Sequence, residues 1–218
     1  MERILYTGTK NASSWAFRAW LSLREAGIEF KERVVDIRRP QRFDNLQRIT
    51  EFSPSASVPV LIDDGCAIFD SLAIMEYAND ISGGGLLPAH ALLRARARSL
   101  LSWQHGGLSG LCPRLSFESA FYPETRPMTD EEHNDTKRLF RFLEQELVQG
   151  GGPYLYGDLS LADLALVPTV IRIYSHSPQV HSWPLTHQWI MRLLSRESVE
   201  EWMSAARDLP PVILNDYR

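Results

Sequence analysis

Two pairs of polar residues precede predicted helices, and each pair could hold an anionic group. Ser13 and Ser14 follow a short apolar strand and lead into an amphipathic helix, and Asp70 and Ser71 stand in the same position before a later helix. The first turn of a helix exposes unpaired N–H groups and the positive end of the helix dipole, both of which favour a bound anion. From sequence position alone, an ordinary helix cap is the simpler interpretation of either pair.

An apolar hairpin with a proline near its start lies directly before Asp70. Val58–Ile62 and Cys66–Phe69 resemble two short strands, and the Asp-Gly pair between them is a strong hairpin signal. Because proline cannot donate to a strand ladder, Pro59 predicts a backbone bend and an edge that is free for something other than a strand. A cis bond between Val58 and Pro59 would give such a bend.

The elements around these residues predict an α/β arrangement followed by an all-helical one. Up to residue 81 the predicted order is β-α-β-α-β-β-α, and the first helix spans about 14–26 before Gly27 stops it. The glycine-rich stretch at 82–85 is the clearest linker, and no convincing strand follows it. The other predicted elements are strands at 3–6 and 31–37, loosely helical segments at 38–50 and 89–120, and helices opened by capping boxes at Thr129–Glu132, Ser160–Asp163 and Ser198–Glu201.

Composition and charge argue against several classes of function. The 218 residues include 23 basic and 27 acidic side chains, and the formal charge of −4 gives no attraction to nucleic acid or to an anionic membrane. The chain has no apolar run of about 18 residues and no signal-peptide pattern, so we expect a cytoplasmic protein without a membrane span. Two cysteines, Cys66 and Cys112, and six histidines without ligand spacing predict neither a disulfide framework nor a metal site.

Three separated stretches of the chain resemble the cytosolic glutathione transferases, in the order found in that family. They are Asn11–Arg18, Val58–Tyr77 with its Val-Pro-Val-Leu and acidic-Ser-Leu-Ala-Ile-x-Glu-Tyr motifs, and Tyr156–Pro168 with its capping box. The first stretch is similar to the serine-bearing loop of bacterial, zeta-like members. Because the three stretches span nearly the whole chain, the resemblance is specific for the fold. It is much less specific for the reaction.

The resemblance implies a two-domain protein that acts on glutathione. Residues 1–81 would form a thioredoxin-like glutathione-binding domain, residues 82–89 a linker, and residues 90–218 an all-α domain. Glutathione would be the co-substrate, no metal would be needed, and the second substrate would be a small hydrophobic electrophile. Because members of the family are usually homodimers, we expect a homodimer here, with no nucleic-acid or membrane partner.

The resemblance also assigns roles around the glutathione thiol. Ser13 matches the first serine of the Ser-Ser pair in the family, and its hydroxyl would stabilise the thiolate. Ser14 is the alternative donor, although we expect its side chain to cap the helix. The Val58 backbone would pair with the cysteinyl part of glutathione, and the family pattern strengthens the prediction of a cis Val58–Pro59 bond.

The two ends of glutathione and the second substrate have separate candidate residues. Asp70 and Ser71 match the pair that holds the γ-glutamyl end. Ser57 stands where many relatives have a lysine or another long polar residue near the glycine carboxylate, and three loop arginines could replace it: Arg38, Arg39 and Arg42. Four residues are candidates for the second-substrate pocket, although aliphatic residues at helical spacing are usually core: Asn11, Trp15, His105 and Leu111.

Two other functions stay open on the sequence. A glutathione-dependent isomerase similar to maleylacetoacetate isomerase is favoured by the zeta-like loop and disfavoured by Trp15, where zeta members have cysteine. A non-catalytic binding module with the transferase fold stays open because Ser57 brings no charge to the glutathione site. Glutathione affinity, followed by activity with haloaromatics and a cis-dienone acid, distinguishes the three functions.

Overall fold

The first half of the chain folds around a four-stranded sheet in the computed structural model, which describes residues 2–214. Its elements are β1 (Ile4–Gly8), α1 (Ser14–Glu25), β2 (Lys31–Val35), α2 (Arg42–Ile49), β3 (Val60–Asp63), β4 (Cys66–Phe69) and α3 (Ser71–Ile81). The strand order is β2-β1-β3-β4, with β1 parallel to β2 and the other neighbours antiparallel. Helix α1 makes the crossover that a parallel pair requires. The predicted thioredoxin-like order of elements is therefore confirmed.

The predicted hairpin forms, although its first strand starts two residues later than expected. Proline has no N–H to donate, so β3 begins only after Pro59. Asp64 and Gly65 have φ values of 49° and 75°, which is the backbone of the tight turn that joins twisted antiparallel strands. The bond between Val58 and Pro59 is cis, which confirms the prediction.

The second half of the described chain contains helices and no strand. Its helices are α4 (Ala91–His105), α5 (Leu111–Arg114), α6 (Asp130–Gly150), α7 (Leu161–Tyr174), α8 (Pro184–Leu194) and α9 (Glu197–Arg207). The predicted helical segment 89–120 is interrupted, because Gly107 and Gly110 adopt φ values of 79° and 100° that an α-helix cannot accommodate. Helix α8 has no counterpart in the sequence predictions. No helix among residues 2–214 is long and apolar enough to cross a membrane.

Two of the three predicted capping boxes form. Thr129 and Glu132 exchange hydrogen bonds at 3.2 and 2.8 Å at the start of α6, and the box from Ser160 opens α7. The box predicted at Ser198 is wrong, because α9 begins at Glu197, two residues earlier than this cap would place it, and the Ser198 hydroxyl donates to the Glu25 carboxylate on α1. A charged acceptor from a distant element displaces the local cap.

Helix α7 joins the two domains. Every residue from Leu161 to Ile173 is buried, and the helix continues through Pro168. Helix α1 packs against both α7 and α9, with the rings of Phe17 and Trp202 stacked at a centroid distance of 4.7 Å. The start of α1, where the predicted serines lie, is therefore held between the sheet and the helical domain.

Candidate functional site

A cavity of about 980 Å³ opens where the two domains meet. The first domain contributes residues 12–15 at the start of α1 and residues 57–58 before β3. The helical domain contributes most of residues 112–118 around α5 and residues 210–214 after α9. The cavity therefore has one side from each domain, which is an arrangement suited to two ligands that meet.

Ser13 is the N-cap of α1, so the expectation that Ser14 caps this helix is wrong. The Ser13 Oγ accepts a hydrogen bond from Ala16 N at 3.3 Å, and the residue is almost completely buried. Because a hydroxyl can donate while it accepts, the Ser13 O–H remains available to a ligand. Ser14 is the first helical residue, and both serines line the cavity.

The position of Ser13 depends on Gly8, the last residue of β1. A Cβ atom at position 8 would lie 2.8 Å from the Cβ of Ser13 and 2.9 Å from its Oγ. Any other residue would therefore push the serine loop away from the end of the strand. Gly8 was a usable signal in the sequence that the predictions above did not include.

Val58 lines the same cavity and leads into β3. No described residue forms a backbone hydrogen bond with the Val58 N–H or carbonyl. The polar groups of the Val58 backbone are therefore open to a peptide-like ligand. Ser57 also lines the cavity, whereas Pro59 lies outside its wall.

Asp70 caps α3, while the Ser71 side chain is directed into the protein. One carboxylate oxygen of Asp70 accepts from Leu72 N at 2.7 Å, and the other lies 3.4 Å from His105 Nε2. Ser71 is buried, and its Oγ accepts a hydrogen bond from Arg18 Nη2 at 2.7 Å. Neither Asp70 nor Ser71 is part of the cavity wall, but Arg18, which hydrogen-bonds to Ser71, does line the cavity.

Arg18 on α1 is a site residue to which the sequence analysis assigned no role. Its guanidinium lines the cavity, donates to Gln104 on α4 as well as to Ser71 on α3, and stacks 4.2 Å from the ring centroid of Trp15. Burial lowers the pKa of Arg18 to about 10, so it remains protonated at neutral pH. No carboxylate among the described residues hydrogen-bonds to Arg18, although the Asp70 carboxylate favours its charged form, so the guanidinium can hydrogen-bond to an anionic ligand. Its spacing, four residues after Ser14 on one helix face, could have identified it.

Of the four candidates for the second pocket, the structure places one in the cavity wall and three outside it. Trp15 lines the cavity, and the ring of His105 packs edge-on against it at a centroid distance of 5.0 Å, just outside the wall. Leu111 is buried in the hydrophobic core. Asn11 is fully buried and donates from Nδ2 to the Pro210 carbonyl at 2.9 Å. Leu111 and Asn11 are therefore placed outside the cavity wall, because packing rather than position along the chain sets the direction of a side chain.

Six arginines of the described chain line the cavity, and carboxylates outside the wall neutralise two of them. Arg38 binds Asp36 and holds the pKa of that carboxyl at about 2, and Arg114 binds Asp135 and Glu131. The other four are Arg18, Arg39, Arg42 and Arg172. All three loop arginines of the sequence analysis are therefore in the wall, but Arg38 already has an anionic partner.

Arg172 on α7 is the second buried arginine in the wall. Its Nη1 donates to the carbonyls of Cys112 and Leu115 at 2.8 and 3.2 Å, and its Nε donates to the Pro168 carbonyl at 3.2 Å. These partners are uncharged, and Nη2 has no hydrogen-bond partner among the described residues. A buried guanidinium without a carboxylate partner favours an anionic ligand.

Glu118 is the one acidic residue in the described wall of the cavity. Burial raises the pKa of the Glu118 carboxyl, while Arg172 and Arg42 act in the opposite direction. The wall therefore carries an excess of positive charge that attracts anions. Among residues 2–214, no group of three or more histidine, cysteine and acidic side chains could hold a metal ion.

Comparison with protein families gives two matches that together cover both domains. Residues 12–81 match the glutathione S-transferase N-terminal domain, and residues 107–197 match the glutathione S-transferase C-terminal domain. The chain is 29% identical over 200 residues to maleylacetoacetate isomerase of Mus musculus, covering 89% of this chain and 88% of the relative. It is also 29% identical over 167 residues to glutathione S-transferase Z1 of Arabidopsis thaliana, covering 72% of each.

Solved structures give the same fold. Glutathione S-transferase isozyme E7 of Drosophila melanogaster is 26% identical with a TM-score of 0.74, over 95% of this chain and 93% of that one. A glutathione transferase homologue from Burkholderia, solved with bound glutathione, has a TM-score of 0.70 at 24% identity, over 95% and 99% of the two chains. The architecture of the two domains is therefore shared with proteins that are described by their use of glutathione.

Proposed function

Because the chain belongs to the glutathione S-transferase family, we propose that it binds glutathione in this cavity and transfers the thiolate to a hydrophobic electrophile. The observation that carries the proposal is the placement of Arg18, which lines the cavity and donates to Ser71 Oγ at 2.7 Å. One buried cation thereby connects the serine loop before α1 with the start of α3. These are the two places to which the family resemblance assigns the thiol and the γ-glutamyl end of glutathione.

Ser13 is the proposed donor to the glutathione sulfur, with Ser14 as the alternative. A free thiol has a pKa of about 8.5, so only a few per cent is ionised at neutral pH. The Ser13 hydroxyl, the N-terminus of α1 and the charge of Arg18 all favour the anion. The thiolate then forms a bond to the electrophilic carbon, and the leaving group departs with the bonding pair, or, in an addition, the displaced pair takes a proton.

The rest of glutathione has proposed contacts with the first domain, in the cavity wall and at the start of α3. The cysteinyl backbone pairs with Val58, whose own backbone groups are free. The γ-glutamyl ammonium is assigned to Asp70, and the γ-glutamyl carboxylate to Ser71 with Arg18. The glycine carboxylate is assigned to Arg39 or Arg42, because Arg38 is already paired with Asp36. Apolar surface for the electrophile comes from Phe117 and the residues after α9.

The Asp70→Asn variant is expected to bind glutathione roughly tenfold more weakly than the parent protein, since one charge-assisted hydrogen bond is lost. Asparagine keeps the helix cap that Asp70 now provides, so the change reports on charge rather than on folding. Calorimetric titration with glutathione measures it. Asp64→Asn, at an exposed turn position with positive φ, is the matched control.

Unchanged affinity in Asp70→Asn would remove the assignment of Asp70 to the ammonium group. An absence of glutathione binding by the parent protein would reject the transferase proposal altogether. In that case the chain would act as a binding module that has the transferase fold.

A glutathione-dependent isomerase that acts on an organic acid is the second candidate function, and Arg172 is the observation that favours it. Among the described residues, this buried guanidinium has only uncharged hydrogen-bond partners, and it lies in the part of the wall that the helical domain contributes. Isomerisation of a cis-dienone acid without consumption of glutathione would identify this function. Consumption of glutathione with haloaromatic substrates would identify the transferase.

Recognition of an acid by Arg172 predicts a measurable substrate preference. With 4-chloro-3-nitrobenzoate and its methyl ester as probes, and with rates normalised to the uncatalysed reactions, Arg172→Lys is expected to lower the preference for the acid about tenfold. Glu118→Gln is expected to raise the preference for the acid, because it removes a carboxylate that competes with the substrate for Arg172. Arg141→Gln, an exposed change on α6, is the control. An unchanged preference in both wall variants would contradict acid binding at Arg172.

We also propose a homodimer in the cytoplasm with a role in detoxification. The family resemblance motivates the dimer, and apolar residues exposed on α4, including Leu92 and Leu93, provide surface for it. Light scattering at micromolar concentration measures the assembly. The two free cysteines, Cys66 and Cys112, are compatible with a reducing compartment.

A further inference from the structure

The segment that follows α9 crosses the cavity between the two domains. We call residues 209–214 the C-terminal strap. Five consecutive residues of the strap, Pro210–Leu214, line the cavity. Its last side chains are apolar and incompletely covered, with Ile213 65% and Leu214 37% exposed. The strap therefore presents hydrophobic surface that the protein itself does not bury.

Asn11 anchors the strap to the first domain. Its Nδ2 donates to the Pro210 carbonyl at 2.9 Å and to the Leu209 carbonyl at 3.4 Å, and the residue is completely buried. Its Oδ1 is also buried and has no hydrogen-bond partner among the described residues. Burial of an unsatisfied amide oxygen costs stability, so Asn11 is placed here for its Nδ2, whose hydrogen bonds both go to the strap.

Tyr122 anchors the strap to the helical domain. Its hydroxyl donates to the Val212 carbonyl at 3.0 Å and accepts from Leu214 N at 2.9 Å. Between the two anchors, Pro210 and Pro211 have no N–H groups, so the strap cannot be held by a strand ladder. Among the described residues, the hydrogen bonds to Pro210–Leu214 come from these two side chains, one from each domain.

We propose that Asn11 is a positioning residue that holds the strap against the second substrate, so that the strap sets a preference for apolar electrophiles. The inference rests on the proposed function for the identity of the ligand. Asn11 lies two residues before Ser13, and it does not line the cavity. It therefore acts through the strap, where Val212, Ile213 and Leu214 contact the group bonded to the glutathione sulfur.

A series of S-alkylglutathiones tests this role without any catalytic step. In the parent protein, affinity measured by calorimetry is expected to rise from S-methyl- to S-butyl- to S-hexylglutathione, by up to about fourfold for each methylene that the strap covers. In Asn11→Ala the rise with chain length is expected to flatten, while unsubstituted glutathione binds as before. Tyr122→Phe, which removes the anchor at the other end of the strap, is expected to flatten the rise of affinity with chain length in the same way.

The matched control is Asn79→Ala. Asn79 is another buried asparagine that holds a connecting segment, since its Oδ1 accepts from Leu86 N at 3.0 Å, but it is remote from the strap. General destabilisation would lower the affinity for all ligands in both asparagine variants and leave the slope intact. An intact slope in Asn11→Ala overturns the proposal. If Asn11 instead contacted the sulfur, the variant would shift the pH at which bound glutathione ionises, and this outcome would also overturn it.

Hydrogen exchange separates this inference from the proposed function. Amides in residues 208–214 are expected to exchange faster in Asn11→Ala than in the parent protein and the Asn79→Ala control. If the parent protein binds neither glutathione nor S-methylglutathione, the proposed function fails, and the exchange of the strap alone decides whether Asn11 holds it. Equal exchange in the parent and Asn11→Ala proteins would refute the anchoring role.

Discussion

Replacement of Asp163 by alanine is expected to lower the free energy of unfolding by about 3–5 kcal/mol, because it leaves several buried donors without an acceptor. Asp163 is completely buried at the start of α7. Its carboxylate accepts from Leu155 N at 3.1 Å, from Trp189 Nε1 at 2.7 Å, and from the backbone and hydroxyl of Ser160 at 2.9 and 2.6 Å. One side chain thus ties together the loop before α7, the N-terminus of α7 and helix α8.

Thermal unfolding measures the effect, with an expected fall in Tm on the order of 10 °C for a chain of this size. Asp158→Ala, which removes an exposed carboxylate from the same loop, is the control and should change Tm little. Burial raises the pKa of Asp163, and the four donated hydrogen bonds oppose that rise. A loss below about 1 kcal/mol would show that water or a rearranged loop satisfies the freed donors.

Ser13→Ala is expected to reduce turnover roughly ten- to a hundredfold while glutathione affinity changes little, since one donor to an anion contributes about 1.5–3 kcal/mol. Other groups hold the ends of glutathione, so the loss appears in the thiolate rather than in binding. The pKa of bound glutathione should rise, which means that less thiolate is present at neutral pH and that activity recovers as the pH increases. Ultraviolet absorbance of the bound thiolate against pH measures this shift.

Ser14→Ala is the matched control for Ser13→Ala, because both serines line the cavity and only Ser13 caps α1. Loss of the cap also lowers stability by about 1 kcal/mol, so thermal unfolding is measured in parallel. A large loss of turnover in Ser14→Ala, with normal turnover in Ser13→Ala, would assign the thiolate to Ser14 instead. Normal turnover in both variants would leave Arg18 or a backbone amide as the stabilising group.

The sequence alone determined the order of elements in the first domain and the hairpin with its cis proline. These features depend on short-range chemistry: apolar alternation, an Asp-Gly turn, and a proline that cannot join a ladder. The helices opened by Thr129 and Ser160 were predictable for the same reason, since a capping box is complete within four residues. Ser198 has the same pattern but lost its cap to Glu25, which is 173 positions away in the chain.

Only the tertiary structure decided how the candidate site is assembled. Ser13, Ser57 and Val58 line one cavity, because a strand end, a helix start and a hairpin meet at one edge of the sheet. The spacing of Arg18 from Ser14 placed both residues on one face of α1, but the tertiary structure sets its contacts with Ser71 and Gln104, which reach it from two other helices.

The second pocket was the least predictable part of the molecule. Asn11 and Leu111 are on the elements that surround the cavity, yet packing turns one toward the C-terminal strap and the other into the core. Arg172 is notable because it is buried and hydrogen-bonds to no carboxylate among the described residues, and no local pattern encodes that property. Local sequence therefore determined which elements form, and long-range packing decided which side chains of those elements face a ligand.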